Sequence, residues 1–388
     1  MEKNKKNMIL TINPGSTSTK IALFEEDNQI LTETIVHSAE DIDRFPSINQ
    51  QYDYRKNLIT KTLRANGYRL ENIDAFVARG GDMGSCAAGT YLVEECLLEF
   101  NSISRHMDHA CELASHIATE FAKKHGGVAY MVNPPTVDEF MDVARICGFR
   151  DVWRRCRTHT LNQKEVAIRH AESTGNEYSE LNLIVCHIGG GVTVTAHRKG
   201  RMIDSNAIMK GDGPMAPTRS GTIPAQELLE MAFSGKFTHQ ELWDRVSKTG
   251  GLMDHLGTAD AREIRERIDN GDGYAHVVYD AMIYQIAKYV GSMAVSLEGN
   301  VDNILLTGGI AHDEYFVAEI TRQIKWIAPI VVYAGEFEME ALAAGALRVM
   351  NGQEQPILFD GKPVWDETKF RDSVRRNSYD QAICSYES

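Results

Sequence analysis

The apolar positions of this chain come in short blocks that repeat. Residues 8–24, MILTINPGSTSTKIALF, read as an apolar strand, a polar glycine turn and a Ser/Thr-rich strand that returns to apolar positions. Residues 183–197, LIVCHIGGGVTVTAH, follow the same plan around three glycines, with Gly189 in the place of Gly15 and Thr193 in the place of Thr19. A second pair is closer still. NIDAFVARGG at 72–81 and NVDNILLTGG at 300–309 are each an apolar strand entered through Asn-x-Asp and closed by two glycines. The first pair is offset by 174 residues and the second by 228, so the later half holds 54 more residues between its matched segments. Self-similarity on this scale predicts two duplicated α/β domains.

Between these blocks the apolar period lengthens to that of a helix. Over 104–125, Met107, Cys111, Ala114, Ala118 and Phe121 recur three or four residues apart, and the pattern stops at Gly126-Gly127. Pro224 opens a helical stretch over 224–234, where its fixed φ suits a first turn. Thr238 and Glu241 have the spacing of a capping box for the next helix. Residues 274–298 predict one long, mostly apolar helix, and 338–350 an alanine-rich helix suited to close packing. The tail 353–388 is polar, carries Pro356 and Pro363, and predicts an irregular or loosely packed surface segment.

Composition narrows the class. A chain of 388 residues is long enough for two domains that each bury a core, and 43% apolar with 24% charged residues is ordinary for a soluble protein. Its apolar runs fall short of the ~18 residues a membrane span needs. The apolar run behind the charged N-terminus reaches only from Met8 to Ile12, too short for a secretory segment. Seven scattered cysteines without a CxxC pair fit a reduced, cytoplasmic compartment and no structural zinc. A net charge of −13 and a pI near 5.5 argue against a nucleic-acid surface. An acidic protein that handles anions must concentrate its positive charge locally, so arginines beside glycines become the candidates.

The glycine turns carry the chemistry. In NPGSTSTK (13–20), Gly15 can take positive φ while Ser16, Thr17, Ser18 and Thr19 offer hydroxyls, so main-chain N–H groups and small donors can converge on a phosphate. A plain hairpin turn would look the same. GxxxxGK[ST] and GxGxxG are both absent at this first turn, which argues for phosphate held between hairpins and not on a helix N-terminus. HIGGG (187–191) is a second turn of this kind, and three glycines in succession carry an entropic cost that favours a ligand against the backbone. TGGI (307–310) is a third, placed to receive an adenosine face.

These residues resemble the acetate and butyrate kinase family of the actin-like and sugar-kinase-like superfamily, most closely its butyrate-kinase branch. The strings are NPGSTSTK (13–20), ARGG (78–81), HTLNQKEVA (159–167), LNLIVCHIGGG (181–191), GDGPMAPTRSG (211–221), GGLMDHLGTADAREI (250–264), LLTGGIAHDEYF (305–316) and GEFEMEALAAGALRV (335–349). The resemblance implies an α/β fold of two duplicated ribonuclease-H-like, actin-like ATPase domains with a nucleotide cleft between them. The first, over 8–155 and joined by the segment 351–388, would carry the acyl and phosphoryl site, and the second, over 180–350, the nucleotide site. It implies ATP and ADP with Mg2+ as cofactors, a short-chain carboxylate or acyl phosphate as partner, and a homo-oligomer. Asn13 and Ser16 would lie near the transferred phosphoryl and its metal, with Glu338 and Asn13 the metal residues. Gly189, Gly190 and Gly191 would cradle nucleotide phosphates with His187 at the strand end, and Gly308, Gly309 and Ile310 would line the adenosine pocket. Arg219, supported by His159, would meet the equatorial phosphoryl oxygens, and Arg79 would grip the acyl carboxylate.

Three departures bear on the acid site. Asn133 stands in Val132-Asn133-Pro134 where the family has an aspartate, which removes a charge that Mg2+ favours, with Asp138 or Asp142 nearby to compensate. Asp82-Met83-Gly84 is more polar than the family's aliphatic stretch, and Glu112 replaces an asparagine. The expected reaction is reversible, in-line transfer from ATP to butyrate or a similar acid. The alternatives are a catalytically weakened nucleotide-binding paralogue, a kinase of isobutyrate, propionate or acetate, and a kinase of another oxyacid or a sugar.

Overall fold

The computed structural model describes residues 6–103, 110–208 and 211–376. The chain is α/β and divides into two compact units, Met1–Val137 with Phe337–Ser388, and Asp138–Glu336. In chain order the first unit has β1 (Met8–Pro14), β2 (Ser18–Glu25), β3 (Asn28–Val36), β4 (Ala75–Ala78), β5 (Thr90–Leu92) and β6 (Val128–Val132). The second has β7 (Asn182–Ile188), β8 (Val192–Arg198), β9 (Arg201–Ser205), β10 (Asn303–Gly308) and β11 (Ile330–Ala334), after which β12 (Ile357–Leu358) returns to the first.

The first sheet runs β12-β5-β6-β4-β1-β2-β3 and the second β11-β10-β7-β8-β9. In the first, β1, β2 and β3 form an antiparallel meander, and β4 and β6 continue parallel on the other side of β1. The second repeats this strand for strand with β7 at its centre. That is the ribonuclease-H-like order, twice, and the repeated blocks of sequence are its hairpins and its neighbouring parallel strands. A strand covered on both faces meets no water, so it must be apolar throughout; β4 and β7 are buried at every position. The two hairpins differ in one detail. Pro14 pairs with Thr19 across four turn residues, whereas Ile188 pairs with Val192 across three.

The extra length of the later half lies between β9 and β10, where helices Ala225–Phe233, His239–Ser247, Leu252–Leu256 and Ala261–Asp269 precede the long helix Gly273–Ser296. The capping box at Thr238 forms: its hydroxyl accepts the Glu241 N–H, and the Glu241 carboxylate accepts the Thr238 N–H.

Three boundaries differ from the sequence reading. The helix expected over 104–125 runs only over Leu113–His125, behind a single 3-10 turn at Ala110–Glu112, and 104–109 lie outside the described residues. Residues 138–155 belong to the second unit, not the first. Met141 N–H donates to Ile203 O, and the Arg154 guanidinium bonds Asp204 and Ser205 O at the end of β9. Helix Glu338–Met350 belongs to the first unit. Gly345 lets it approach so closely that a Cβ there would lie 2.9 Å from Val132 Cγ2, and Gly345 O accepts the Thr90 hydroxyl. The tail is also more ordered than its composition suggested: β12 pairs with β5, Phe359 packs edge-on to Phe100 at 5.0 Å, and Glu367–Arg376 is a helix. Its last residues, 377–388, lie outside the described residues.

Candidate active site

In the first unit the site is built around the turn between β1 and β2. Asn13, at the end of β1, donates from Nδ2 to Glu338 Oε2 at 2.8 Å, and Arg79, just past β4, places Nη2 at 3.4 Å from Glu338 Oε1. Glu338 opens its helix, where the helix dipole favours a carboxylate. The fold therefore brings Arg79, expected at the acid's carboxylate, together with Asn13 and Glu338, expected at the metal. Arg79 Nη1 is buried and meets no hydrogen-bond partner among the described residues. Gly81 leaves room for Glu112, whose Cγ would stand 2.8 Å from a Cβ at Gly81. Burial pushes the neighbouring Cys111 thiol up to about 11, so it stays protonated and inert.

Asn133 has a structural role in its loop. Its φ of +40° is one that asparagine tolerates, and its Oδ1 accepts the Gly89 N–H at 2.8 Å. Asp138 is engaged elsewhere, in a buried two-pronged pair with Arg145 in the second unit.

Two residues that the sequence did not mark hold the turn. Arg55 lies fully buried beneath it and bonds Ser16 O, Ser18 O and the Thr19 hydroxyl. His37 Nε2 is 2.9 Å from that same hydroxyl, and its Nδ1 is 3.3 Å from Tyr54 OH. Burial, and then the Arg55 charge, hold the His37 imidazole down at about 4, with Asp41 opposing them. The unfolded chain takes up that proton below about 6.5, so the stability of this unit is complete above that pH and declines as pH falls toward 4. The urea midpoint at pH 5 is expected to lie below that at pH 7.5, with a smaller difference in His37→Gln. An equal difference in both proteins would remove His37 as the cause.

In the second unit, the glycines of the β7–β8 turn lie among three expected residues. His187 Nδ1 meets Asn162 Oδ1 at 2.9 Å, and its ring stacks on His159 at 4.1 Å. His159 Nδ1 is 3.0 Å from the Thr193 hydroxyl, which also accepts from Gln163 Nε2. Gln163 Oε1 can only accept, so His197 carries its proton on Nε2 and receives the Tyr178 hydroxyl at Nδ1. His197 is fully enclosed, and burial holds it neutral. A connected set of neutral groups thus orients His159 from behind.

Arg219 comes from a loop tied to the same turn, where Thr218 donates to Gly190 O. Gly251 lets the Arg219 loop pack closely, since a Cβ there would stand 2.7 Å from Arg219 O. The guanidinium lies over the bare Cα of Gly191 and would collide with any Cβ there. Its Nε and Nη1 are buried with no hydrogen-bond partner among the described residues. Buried N–H groups of a cation left unpaired are costly unless an anion completes them.

A cleft of about 1170 Å³ joins Gly189 and Gly190 to Gly309 and Ile310 within this unit. Pro217, Arg265, Glu266 and Asn270 also line it; Arg265 and Glu266 lie on the charged helix Ala261–Asp269, and Asn270 is its C-cap. Among the described residues, no group of three or more His, Cys, Asp or Glu side chains could hold a metal ion. No helix among them is long and apolar enough to cross a membrane.

The two sheets, each in the same strand order, have the fold of the actin-like ATPase class. Residues 150–328 match the model of the Acetokinase family. Butyrate kinase 2 of Clostridium acetobutylicum is 43% identical over 347 residues, 89% of this chain and 98% of its own. Butyrate kinase 1 of that organism is 41% identical over the same shares. Among solved structures, Porphyromonas gingivalis acetate kinase superposes with a TM-score of 0.74 at 18% identity, covering 89% of this chain and all of its own. A Francisella tularensis propionate kinase gives 0.71 at 19% identity, over 87% and 98%. These two likenesses show the fold. The chain belongs to the acetate and butyrate kinase family. It is an ATP-dependent kinase whose acceptor is a short-chain carboxylate.

Proposed function

We propose that the chain transfers the γ-phosphoryl group of ATP to butyrate, or an acid of similar length, by direct in-line displacement, reversibly, with Mg2+ bound. One observation carries this reading: beside a glycine turn, Arg79 Nη1 and Arg219 Nε and Nη1 are buried with no hydrogen-bond partner among the described residues. Arg79 suits the acid's carboxylate, and Arg219 the equatorial oxygens of the phosphoryl group, where charge develops during transfer. Asn13 and Ser16 serve the transferring phosphoryl. His159 and His187, backed by Thr193 and Asn162, serve the phosphates over Gly189, Gly190 and Gly191. Gly308, Gly309 and Ile310 form the adenosine side of the cleft. Glu338 with Asn13 fits Mg2+, which needs only one or two carboxylates when substrate phosphates and water complete its shell, and the ion would neutralise phosphate charge. Asn133 is assigned to the acid side, acting through the Gly89 loop.

The first unit, with its C-terminal return, is the acyl and phosphoryl domain, and the second is the nucleotide domain. ATP as the phosphoryl donor supports a cytoplasmic place in short-chain fatty acid metabolism. Assembly into a homo-oligomer is supported by the exposed Tyr274, Val277, Tyr284 and Val295 on the long helix of the second unit.

The test is incubation with MgATP, hydroxylamine and a series of short acids. Acyl hydroxamate should form, most rapidly with butyrate. No hydroxamate from any acid, with nucleotide still bound, would leave a nucleotide-binding paralogue; a phosphorylated product that resists hydroxylamine would place the phosphoryl on a hydroxyl.

A further inference from the structure

We propose that Arg55 is a positioning residue of the phosphoryl turn, drawing the Ser16 and Ser18 carbonyls inward so that the turn presents its N–H groups outward to an anion. This rests on the phosphotransfer reading above. Arg55 sits in helix Tyr52–Ala65 with no exposed surface. Its bonds go to Gln51 Oε1 at 2.9 Å, Ser18 O at 3.1 Å, Thr19 Oγ1 at 2.9 Å and Ser16 O at 3.2 Å. None of these acceptors is a carboxylate. A cation that is fully buried and balanced only by dipoles is uncommon, because desolvation disfavours it.

The turn is oriented by this contact. The carbonyl and N–H of one trans peptide point in opposite directions, so drawing Ser16 O inward turns the Thr17 N–H outward. Thr17 O is held in its turn by the His37 N–H at 2.8 Å, and Ser18 O also accepts the Gly15 N–H at 2.7 Å. Three consecutive carbonyls therefore face the protein. The N–H groups of Ser16 and Thr17 make no main-chain hydrogen bond among the described residues, and both residues are exposed. Outward N–H groups on a tight turn form an anion-binding concavity, and a positive charge beneath it strengthens the attraction. Lysine could supply the charge but not the fork that reaches two carbonyls and a hydroxyl together.

The experiment uses full-length Arg55→Met and Arg55→Lys. Dissociation constants are measured for ADP and for β,γ-methylene ATP, alongside kcat with butyrate. Arg55→Met is expected to keep ADP affinity within about twofold, weaken the ATP analogue by roughly fivefold or more, and lower kcat by about 30-fold, with part of the kcat restored in Arg55→Lys. A kcat within about threefold of the parent per folded molecule overturns the proposal, as does a parallel loss of both affinities. If Arg55→Met does not fold, Thr19→Val removes one acceptor of the same guanidinium while keeping its shape; an unchanged analogue-to-ADP ratio then overturns it. Should the parent protein make no hydroxamate, the phosphotransfer reading fails on its own, and the affinity ratio still decides the role of Arg55.

Discussion

Replacing Arg219 with alanine is expected to lower kcat/KM by about a thousandfold without lowering the melting temperature. Ordinarily, truncating a buried arginine destabilises a protein because its partners lose their hydrogen bonds. Here Nε and Nη1 have no partner to lose among the described residues, and burial already weighs against the charge, lowering the guanidinium pKa. In the proposed role an arriving anion would complete that fork, where an arginine contributes most to phosphoryl transfer. Arg219→Lys keeps the charge but not the fork, and should lose roughly a hundredfold. Gly191→Ala tests the same geometry from the other side, since its methyl would occupy the place of the guanidinium. Steady-state kinetics with a melting curve for each variant measure this. Activity of Arg219→Ala within about tenfold of the parent would remove Arg219 from the phosphoryl site.

Gly308→Ala is expected to destabilise the second unit by about 3–5 kcal/mol, lowering its melting temperature by roughly 10 °C. Gly308 has φ +96° and ψ 171°, a region open almost only to glycine. A Cβ there would stand 2.6 Å from the carbonyl carbon of Ile188 and 2.7 Å from its nitrogen, so β7 and β10 could not both keep their places. Gly308 also exchanges two main-chain hydrogen bonds with Gly335, at 2.9 and 3.0 Å. The adjacent Gly309 is the control. Its Cβ would meet nothing within 4 Å, so Gly309→Ala should shift stability by less than about 0.5 kcal/mol. Because Gly309 lines the cleft, its alanine variant should raise KM for ATP instead. Calorimetry on the two variants separates the roles; equal melting temperatures would show that the β7–β10 contact tolerates a side chain.

The two glycines were indistinguishable as letters in TGGI, and the pair shows where sequence reading stops. A run of glycines marks a place where the backbone needs freedom or a ligand needs access, but not which glycine serves which need. Helix 338–350 was legible because its period and alanine content are local properties, and it appears with those bounds. Its membership was not, since Gly345 against Val132 is a contact between distant parts of the chain. The short apolar run that becomes β12 is too brief to stand out from a polar tail.

The sequence by itself determined that the chain is two copies of one α/β plan and that it belongs among the acetate and butyrate kinases. Those conclusions rest on periodicity, on glycine spacing and on strings of neighbouring residues, all of which lie along the chain. The tertiary structure alone decided that Glu338 bonds Asn13 across a separation of 325 residues, that Asn133 fastens the Gly89 loop, and that Arg55 lies under the turn. The reason is physical. A charged residue on an amphipathic helix has the same local pattern whether it faces water or a buried carbonyl, and only the packing of the helix on its sheet selects between them.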